Sequence, residues 1–536
     1  MSIQGVTTHP KNSRRGALLL CLVLLAGGGV CGPGVCGDPP PPPPPTPTSN
    51  VTVDFTKNKR SVPAFLFGQN LETIEHGDVG EQVIAAGGAL DGEIVQALSD
   101  ARISMLRYPG GLAADHFVWW QATGPPSRRA LQASGNGLQL YRPTVGPEEF
   151  IELAKALRAV PFITANTGSG SASLAGAWAQ YFNSVGFPVT YWEIGNEPYF
   201  NGVDESGTLG LTPDAYGRKV IEYSSAIRAH VPGAKIIAAG VIDKVDDSSY
   251  WNTLMLGVAG HHVDGIALHS YAPVWAYTPG ANPTVPPERD IYAAMLGFTK
   301  SFERVLGVVT DELTRSGQLI PIFVTEYDGT FFADDTVEAP ETTLARNPTL
   351  ASALFNASSL QVMMRSERVY GAHHMSLASR YYGGLIGIDG EVRFRNPQFY
   401  VQREYAREID HIVVEAILDE QGATFDTVAV KVAPAQTGVP MLDVVATRDP
   451  AGREYALFVV NRSLVSGVRT AVQSNLPAGA IGTRSLLTGP AYNSRNDAEN
   501  PNRVSLVTTP WTAGGSFNYV FPRASLTIFR WTLPAQ

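Results

Sequence analysis

Short apolar runs alternate with segments of helical period from about residue 61 to residue 415. Apolar runs without internal alternation are typical of strands that are covered on both faces. Eight such runs, most of them separated by helical segments such as Pro147–Arg158 and Pro213–His230, predict a (β/α)8 TIM barrel with insertions. An open doubly wound sheet is the alternative that this pattern leaves open. The candidate strands are Ala64–Leu71, Ile103–Tyr108, Val160–Asn166, Val189–Ile194, Lys235–Gly240, Gly265–His269, Ile320–Thr325 and Val369–Met375.

Two of these runs lead into a glutamate. The fourth continues as YWEIGNEP with Glu197, and the seventh continues as IFVTEYDG with Glu326. Catalytic side chains of such barrels collect at the C-terminal ends of the strands. Two carboxylates there can cleave a glycosidic bond, one as proton donor and one as nucleophile. Solvated strand ends are the alternative for either glutamate alone, but the pair, with Asn196 directly before Glu197, favours catalysis.

The two glutamates need different surroundings. A general acid has to be protonated before it acts, and burial of Glu197 among Trp192, Tyr199 and Phe200 is expected to favour that form. Asn196 is placed to donate a hydrogen bond to a substrate hydroxyl beside the reacting carbon.

The second glutamate, Glu326, has to stay ionised to attack, so it needs hydrogen-bond donors. Arg107 ends the second candidate strand, and His269 and Tyr271 point the same way because alternate strand residues share a face. An ordinary core histidine is the alternative for His269. Glu72, at the end of the first strand in FGQNLE, is a candidate acceptor for sugar hydroxyls, or else a surface carboxylate.

Charge and cysteine content argue against several classes of binding partner and of functional site. The net charge of −9 argues against nucleic acid or an anionic membrane surface as the partner. All three cysteines, Cys21, Cys31 and Cys36, precede residue 38, which excludes a disulfide framework, a cysteine zinc site and a cysteine nucleophile in the folded body. The pair His373-His374 lacks a third ligand at metal-binding spacing, so neither a metal nor a cofactor is expected.

The first 37 residues are predicted to be a leader. Basic residues precede the apolar run Gly16–Val30, which has the length of a signal peptide. Lipid attachment at Cys31 is one alternative, although Val30 stands where a lipoprotein site has glycine or alanine; plain secretion is the favoured one. Residues 38–50, which contain seven consecutive prolines, are predicted to be an extended linker.

Helical period disappears after Glu415. Short β-type runs separated by turn clusters predict a β-sandwich over residues 416–536. A strand at 51–62 alternates well enough to pair into it, which leaves 63–415 for the barrel. The runs are Val428–Val432, Tyr455–Val460, Val504–Val507, Asn518–Phe521 and Leu526–Trp531.

Five motifs, FGQNLE, LRYPGG, EIGNEP, ALHSY and VTEYDG, occur in this order. Together they resemble the retaining glycosidases on (β/α)8 barrels, and within that clan the α-L-arabinofuranosidase family. That family pairs its barrel with a β-sandwich to which an N-terminal strand contributes. The resemblance runs from about Val51 to the end of the chain.

The resemblance implies Glu197 as acid/base and Glu326 as nucleophile. It further implies sugar ligands and supporting residues at Glu72, Asn196, His269 and Tyr271. One departure stands at Leu112, where the family usually carries an asparagine that contacts the sugar. The pocket that reads the sugar is therefore expected to differ.

These observations predict a secreted retaining glycoside hydrolase, an exo-acting α-L-arabinofuranosidase that acts on oligo- or polysaccharides of the plant cell wall. A β-xylosidase, a β-glucuronidase or an endo-glucanase of the same clan is an open alternative. A noncatalytic carbohydrate-binding protein is the alternative from another class. The sequence does not predict the oligomeric state.

Overall fold

The computed structural model describes residues 46–534 except 76–77, 80–81, 86–87, 134–139, 202–209, 243–247, 273–283, 332–338, 380–381 and 432. The predicted leader, the proline run of the linker and the acylation site at Cys31 lie outside the described residues.

Eight strands form a closed barrel in which every neighbouring pair is parallel. Each strand pairs with the next one along the chain, and the eighth pairs with the first. The predicted fold class is confirmed, and the open sheet is excluded. In chain order the barrel strands are Phe65–Asn70, Met105–Tyr108, Val160–Ala165, Tyr191–Ile194, Lys235–Ala239, Gly265–Tyr271, Ile322–Asp328 and Val369–His374.

Helices follow most of the barrel strands and cover the outside of the barrel. The described α-helices are Gly92–Asp100, Pro147–Leu157, Ala172–Ser184, Pro198–Asn201, Pro213–Arg228, Ser248–Ala259, Glu288–Arg315, Pro340–Leu344, Leu350–Arg365 and Pro397–Tyr405. The 3-10 helices are Leu112–His116, Trp119–Ala122, Pro126–Arg128, Gly260–His262 and Ala406–Glu408.

An apolar layer fills the barrel beneath the polar ends of its strands. The residues of this layer are fully or almost fully buried and pack against one another. Most of these residues stand two positions before a polar residue on the same strand. Alternate strand residues share a face, so the apolar residue and the polar residue that follows it both point into the barrel. This layer gives the polar side chains above it a closely packed apolar base. Its members are Met105, Phe162, Ile237, Ala267 and Phe323.

A nine-stranded sheet forms the C-terminal part of the fold, antiparallel apart from one parallel pair. One face belongs to the core shared with the barrel, as Phe458 and Val460 show, and the other carries a separate core that includes Leu457 and Val459. The strands are Thr48–Ser61, Ile412–Leu418, Leu442–Arg448, Glu454–Asn461, Val468–Ser474, Ile481–Thr488, Ser505–Trp511, Phe517–Phe521 and Ser525–Thr532.

Two predicted boundaries need correction. The N-terminal strand begins at Thr48, inside the segment predicted as linker, because Ser49 is buried and its hydroxyl accepts a hydrogen bond from the backbone of Ala423. The strand Ile412–Leu418 crosses the predicted limit between barrel and sandwich. Residues 48–50 are polar, so the hydrophobic pattern did not extend the N-terminal strand to them.

The run Val428–Val432 was predicted as a strand of the sandwich, and this is wrong for its described residues. Val430 makes an isolated bridge to Ala433 and packs with Ala294 of the long helix Glu288–Arg315. Short antiparallel hairpins lie outside the large sheets at Ile74–Glu75 with Asp78–Val79, Gln132–Ala133 with Leu140–Tyr141, Ile386–Asp389 with Val392–Arg395, and Thr424–Thr427 with Gln436–Pro440.

Candidate active site

Arg107 stands at the centre of the polar ends of the barrel strands and is fully buried. Its Nε donates to Glu193 at 2.7 Å and Nη1 donates to Asn70 at 2.8 Å. Nη1 also donates to Glu326 Oε1 at 2.9 Å, and Nη2 donates to Asn196 Oδ1 at 2.8 Å. One planar guanidinium therefore sets the relative positions of side chains from three other barrel strands and the turn after one of them. Burial opposes its charge, but the carboxylates of Glu193 and Glu326 outweigh burial and raise the pKa of Arg107.

A second chain of hydrogen bonds runs from Glu193 towards Glu197. Thr325 Oγ1 donates to Glu193 Oε1 at 2.9 Å and lies 3.1 Å from His269 Nε2. The hydroxyl of Thr325 has a single proton, which it donates to Glu193, so it has to accept a hydrogen bond from Nε2–H of His269. The other ring nitrogen, Nδ1, then faces Glu197 Oε1 at 2.9 Å. One proton shared between Nδ1 and Glu197 satisfies this contact. Burial would lower the pKa of His269, but Glu326 and Glu197 outweigh burial and raise it.

A β-bulge aims Glu326 into the barrel. Val324 pairs with Leu268 on the sixth strand, but Glu326 pairs with His269, so Thr325 is an extra residue. Regular alternation from the inward-facing Phe323 would send Thr325 inward and Glu326 outward. The bulge instead brings both side chains into the site, as bulges beside active sites commonly do.

Three groups hold Glu326 in its ionised form. Arg107 donates to Oε1, Tyr271 donates its hydroxyl to Oε2 at 2.6 Å, and His269 Nδ1 lies 3.5 Å from Oε2. Burial alone would raise the pKa of Glu326, yet His269, Arg107 and Tyr271 outweigh burial and lower it. Burial and the charge on Glu326 raise the pKa of Tyr271 well above its usual value, so its hydroxyl remains a donor.

The turn after the fourth strand presents Glu197. The strand ends at Ile194, and the next residues adopt left-handed backbone at Gly195, φ +77°, and at Glu197, φ +46°. A Cβ on Gly195 would lie 2.1 Å from Thr167 Oγ1, so glycine is required by space as well as by conformation. The Glu197 side chain keeps 23% of its surface exposed, whereas Glu326 keeps 6%. Glu197 is thus the carboxylate more open to solvent.

The two carboxylates lie close together. Because His269 Nδ1 is 2.9 Å from Glu197 Oε1 and 3.5 Å from Glu326 Oε2, these oxygens are at most roughly 6.4 Å apart, the sum of the two distances. Retaining glycosidases hold their carboxyl groups about 5–5.5 Å apart and inverting ones about 6.5–9.5 Å. The upper bound on the separation of these two oxygens falls below the inverting range.

Glu72 borders the site on the side of the first strand. It is buried, and its carboxylate rests on the backbone of the Pro109-Gly110-Gly111 turn. A Cβ on Gly111, whose φ is +53°, would lie 1.7 Å from Glu72 Oε1. The second glycine is therefore required for Glu72 to occupy this position, and the acid contributes to the electrostatic field at Tyr271.

All seven residues proposed from the sequence stand at this end of the barrel: Glu72, Arg107, Asn196, Glu197, His269, Tyr271 and Glu326. Three residues that were not predicted, Glu193, Thr325 and Asn70, complete the hydrogen-bond network. A charged residue inside a buried run was the available signal for Glu193. Trp192, expected beside Glu197, instead faces outward and packs against Trp178 and Phe182 of a covering helix.

Among the described residues, no cluster of three or more histidine, cysteine, aspartate and glutamate side chains is arranged to hold a metal ion. The described helices include none that has both the length and the apolar character needed to cross a membrane.

Known proteins share this architecture, although no model of a known protein family matches the chain. An intracellular exo-α-L-arabinofuranosidase of Bacteroides ovatus is 23% identical over 489 residues, which cover 85% of this chain and 90% of the relative. The arabinose complex of an α-L-arabinofuranosidase from Thermotoga maritima superposes with a TM-score of 0.74 at 21% identity, covering 91% of this chain and 100% of that one. A GH51 arabinofuranosidase of Xanthomonas axonopodis pv. citri superposes with a TM-score of 0.76 at 19% identity over the same shares. The fold is that of the GH51 arabinofuranosidases.

The resemblance to the α-L-arabinofuranosidase family is thereby confirmed over most of the chain. Two of these relatives are described as α-L-arabinofuranosidases and the third as a GH51 arabinofuranosidase, so all three are glycoside hydrolases. In this chain the carboxyl ends of the barrel strands carry the network centred on Arg107.

Proposed function

We propose that this chain is a retaining α-L-arabinofuranosidase that releases terminal arabinofuranose from plant cell-wall oligo- and polysaccharides. The observation that carries the proposal is the pair Glu197 and Glu326, whose nearest oxygens both lie within 3.5 Å of one imidazole nitrogen. The similarity to α-L-arabinofuranosidases over most of the chain supports the sugar.

In the first step Glu326 attacks the anomeric carbon and forms a covalent glycosyl ester. Arg107 and Tyr271 hold one oxygen each, so the carboxylate is ionised and fixed in direction. As the glycosidic bond breaks, Glu197 gives its proton to the departing oxygen, and the proton shared with His269 Nδ1 is the one available for this transfer.

In the second step Glu197 acts as a base. Glu197 accepts a proton from a water molecule while the oxygen of that water attacks the anomeric carbon. The ester bond to Glu326 breaks, and Glu326 leaves as a carboxylate. Two inversions at one carbon retain its configuration. Glu197 suits the exchange of leaving group for water because its side chain is the more exposed of the two carboxylates.

A panel of aryl glycosides tests the sugar and the stereochemistry together. Aryl α-L-arabinofuranoside should be cleaved far faster than the xyloside, glucuronide and glucoside, and early ¹H NMR spectra should show the α-anomer of arabinose as the first product. A β-anomer formed first would contradict retention, and preference for another sugar would contradict the arabinofuranosidase assignment. If no aryl glycoside of the panel is cleaved but the protein still binds sugar, the result would indicate a noncatalytic carbohydrate-binding protein.

The nucleophile has its own test. Glu326→Ala should lose several powers of ten in turnover, and azide should restore part of it as a glycosyl azide of inverted configuration. Glu312→Ala is a matched control, because Glu312 is also buried but bonds Asn252 and Thr253 between outer helices. Near-normal turnover of Glu326→Ala would refute the assignment.

We further propose that the enzyme is exported, on the basis of the basic residues and apolar run at the start of the sequence. The Bacteroides ovatus relative is described as intracellular, so location needs its own measurement. Fractionation of expressing cells with N-terminal sequencing should find a processed extracellular or surface form. Lipid labelling that disappears in Cys31→Ser would identify acylation, and an unprocessed cytoplasmic product would contradict export.

A further inference from the structure

A buried aspartate, Asp115, holds the turn that presents Glu197. It lies in the 3-10 helix Leu112–His116 and is 1% exposed. Its Oδ1 accepts a hydrogen bond from Thr167 Oγ1 at 3.2 Å and one from the backbone N–H of Asn196 at 3.4 Å. This carboxylate therefore binds the main chain one residue before Glu197.

The turn needs such an anchor. Gly195 and Glu197 both have left-handed backbone, one on each side of Asn196. A non-glycine residue keeps this conformation only where its surroundings fix it. Arg107 holds the side chain of Asn196 and Asp115 holds its backbone, so the peptide between the two left-handed residues is fixed from two directions.

The packing around Asp115 is also specific. A Cβ on Gly168 would lie 2.6 Å from the carbonyl oxygen of Asp115, so the loop after the third strand closes directly over it. Oδ2 is buried and has no hydrogen-bond partner among the described residues. Burial raises the pKa of Asp115 to about 7, against the hydrogen bonds from Asn196 and Thr167. An acidic side chain in this position is unfavourable for folding, which indicates a role in the neighbouring site.

We propose that Asp115 is a positioning residue that fixes the Gly195–Glu197 turn and so keeps the carboxyl of Glu197 against His269 Nδ1. This inference rests on the proposed function, in which Glu197 is the acid/base. Loss of Asp115 then weakens proton donation to the leaving group and leaves the nucleophile in place.

Leaving-group dependence separates this role from a purely structural one. For Asp115→Ala, kcat/KM should fall about tenfold or more on methyl α-L-arabinofuranoside and less than about threefold on the 2,4-dinitrophenyl substrate, which needs no proton. Asp115→Asn should stay within about threefold of the parent on both, because the amide oxygen still accepts from Asn196. Equal losses on the two substrates in Asp115→Ala, or no rescue by asparagine, would overturn the proposal.

Two further variants make the result decisive. Thr167→Val removes the hydroxyl but leaves the contact to Asn196, so it should match the parent on both substrates; a selective loss as large as that of Asp115→Ala would contradict the proposal. If Asp115→Ala does not fold, Asp115→Ser is measured instead with the same expected selectivity.

Glu197→Ala is the reference variant. If it shows no dependence on the leaving group, the proposed function fails. If Glu197→Ala shows this dependence and Asp115→Ala does not, only the inference about Asp115 fails.

Discussion

Replacing Tyr271 by phenylalanine removes one hydroxyl from the site and little else. That hydroxyl donates to Glu326 Oε2 at 2.6 Å, and a hydrogen bond to a charged group contributes about 1.5–3 kcal/mol. Because the lost bond stabilises only the ionised carboxylate, its removal should raise the pKa of Glu326 by the equivalent of this energy.

The sign of the effect follows from the role of Glu326. Only its ionised form attacks, so activity is lost as the pH falls through its pKa, which the three donors hold low. A higher pKa in Tyr271→Phe makes activity disappear at a higher pH. The profile of kcat/KM against pH on an aryl arabinofuranoside reports this group in the free enzyme.

Tyr216→Phe is the matched control. Tyr216 is fully buried, and its hydroxyl donates to the carbonyl of Ile194 at 2.6 Å and accepts from the backbone of Ala239 at 2.7 Å, outside the reacting centre. This variant should lower the melting temperature without moving the acidic limb. If the acidic limb of the pH profile does not move in Tyr271→Phe, or moves equally in both variants, the proposed role of the Tyr271 hydroxyl is refuted.

Three further predictions concern the acid/base, the central arginine and the junction with the sheet. Glu197→Ala should slow substrates with poor leaving groups far more than activated ones in steady-state assays, and equal slowing would remove it as the acid. Arg107→Lys keeps the charge but not the planar fork that contacts four side chains, so kcat/KM should fall by about two powers of ten; an unchanged value would contradict its positioning role. Burial would raise the pKa of Glu408, but Arg530 and His411 together outweigh burial and lower the pKa to about 2. The stability that ionised Glu408 contributes is therefore present above about pH 4.5 and is lost as the pH falls towards 2. Glu408→Gln should therefore remove roughly 3 kcal/mol of acid dependence from the free energy of unfolding over that window, and urea titrations with the same pH slope in both proteins would exclude this.

The barrel was predictable because its strands are buried on both sides, which gives eight apolar runs that need no long-range information. Their C-terminal ends were less predictable. The sixth strand continues to Tyr271 and the seventh to Asp328, beyond the points where the apolar pattern stops. The side chains there are polar because they face the site, so function interrupts the pattern that reveals structure.

The direction of particular side chains was the part that the sequence could not supply. Alternation along the seventh strand would turn Glu326 outward, and only pairing with the sixth strand reveals the bulge at Thr325. Glu193 lies inside an apolar run, and its partner Arg107 is 86 residues away. The amphipathic strands Val468–Ser474 and Ile481–Thr488 of the C-terminal sheet were missed because about half of their residues are polar.

The central claim is that Glu326 forms a covalent bond with the sugar. A 2-deoxy-2-fluoro arabinofuranoside with an activated leaving group slows hydrolysis of the glycosyl-enzyme and allows it to accumulate. Peptide mapping by mass spectrometry should then find one fluorosugar on Glu326 and none in Glu326→Ala. A label on Glu197, or inactivation with no covalent sugar on the protein, would contradict the account.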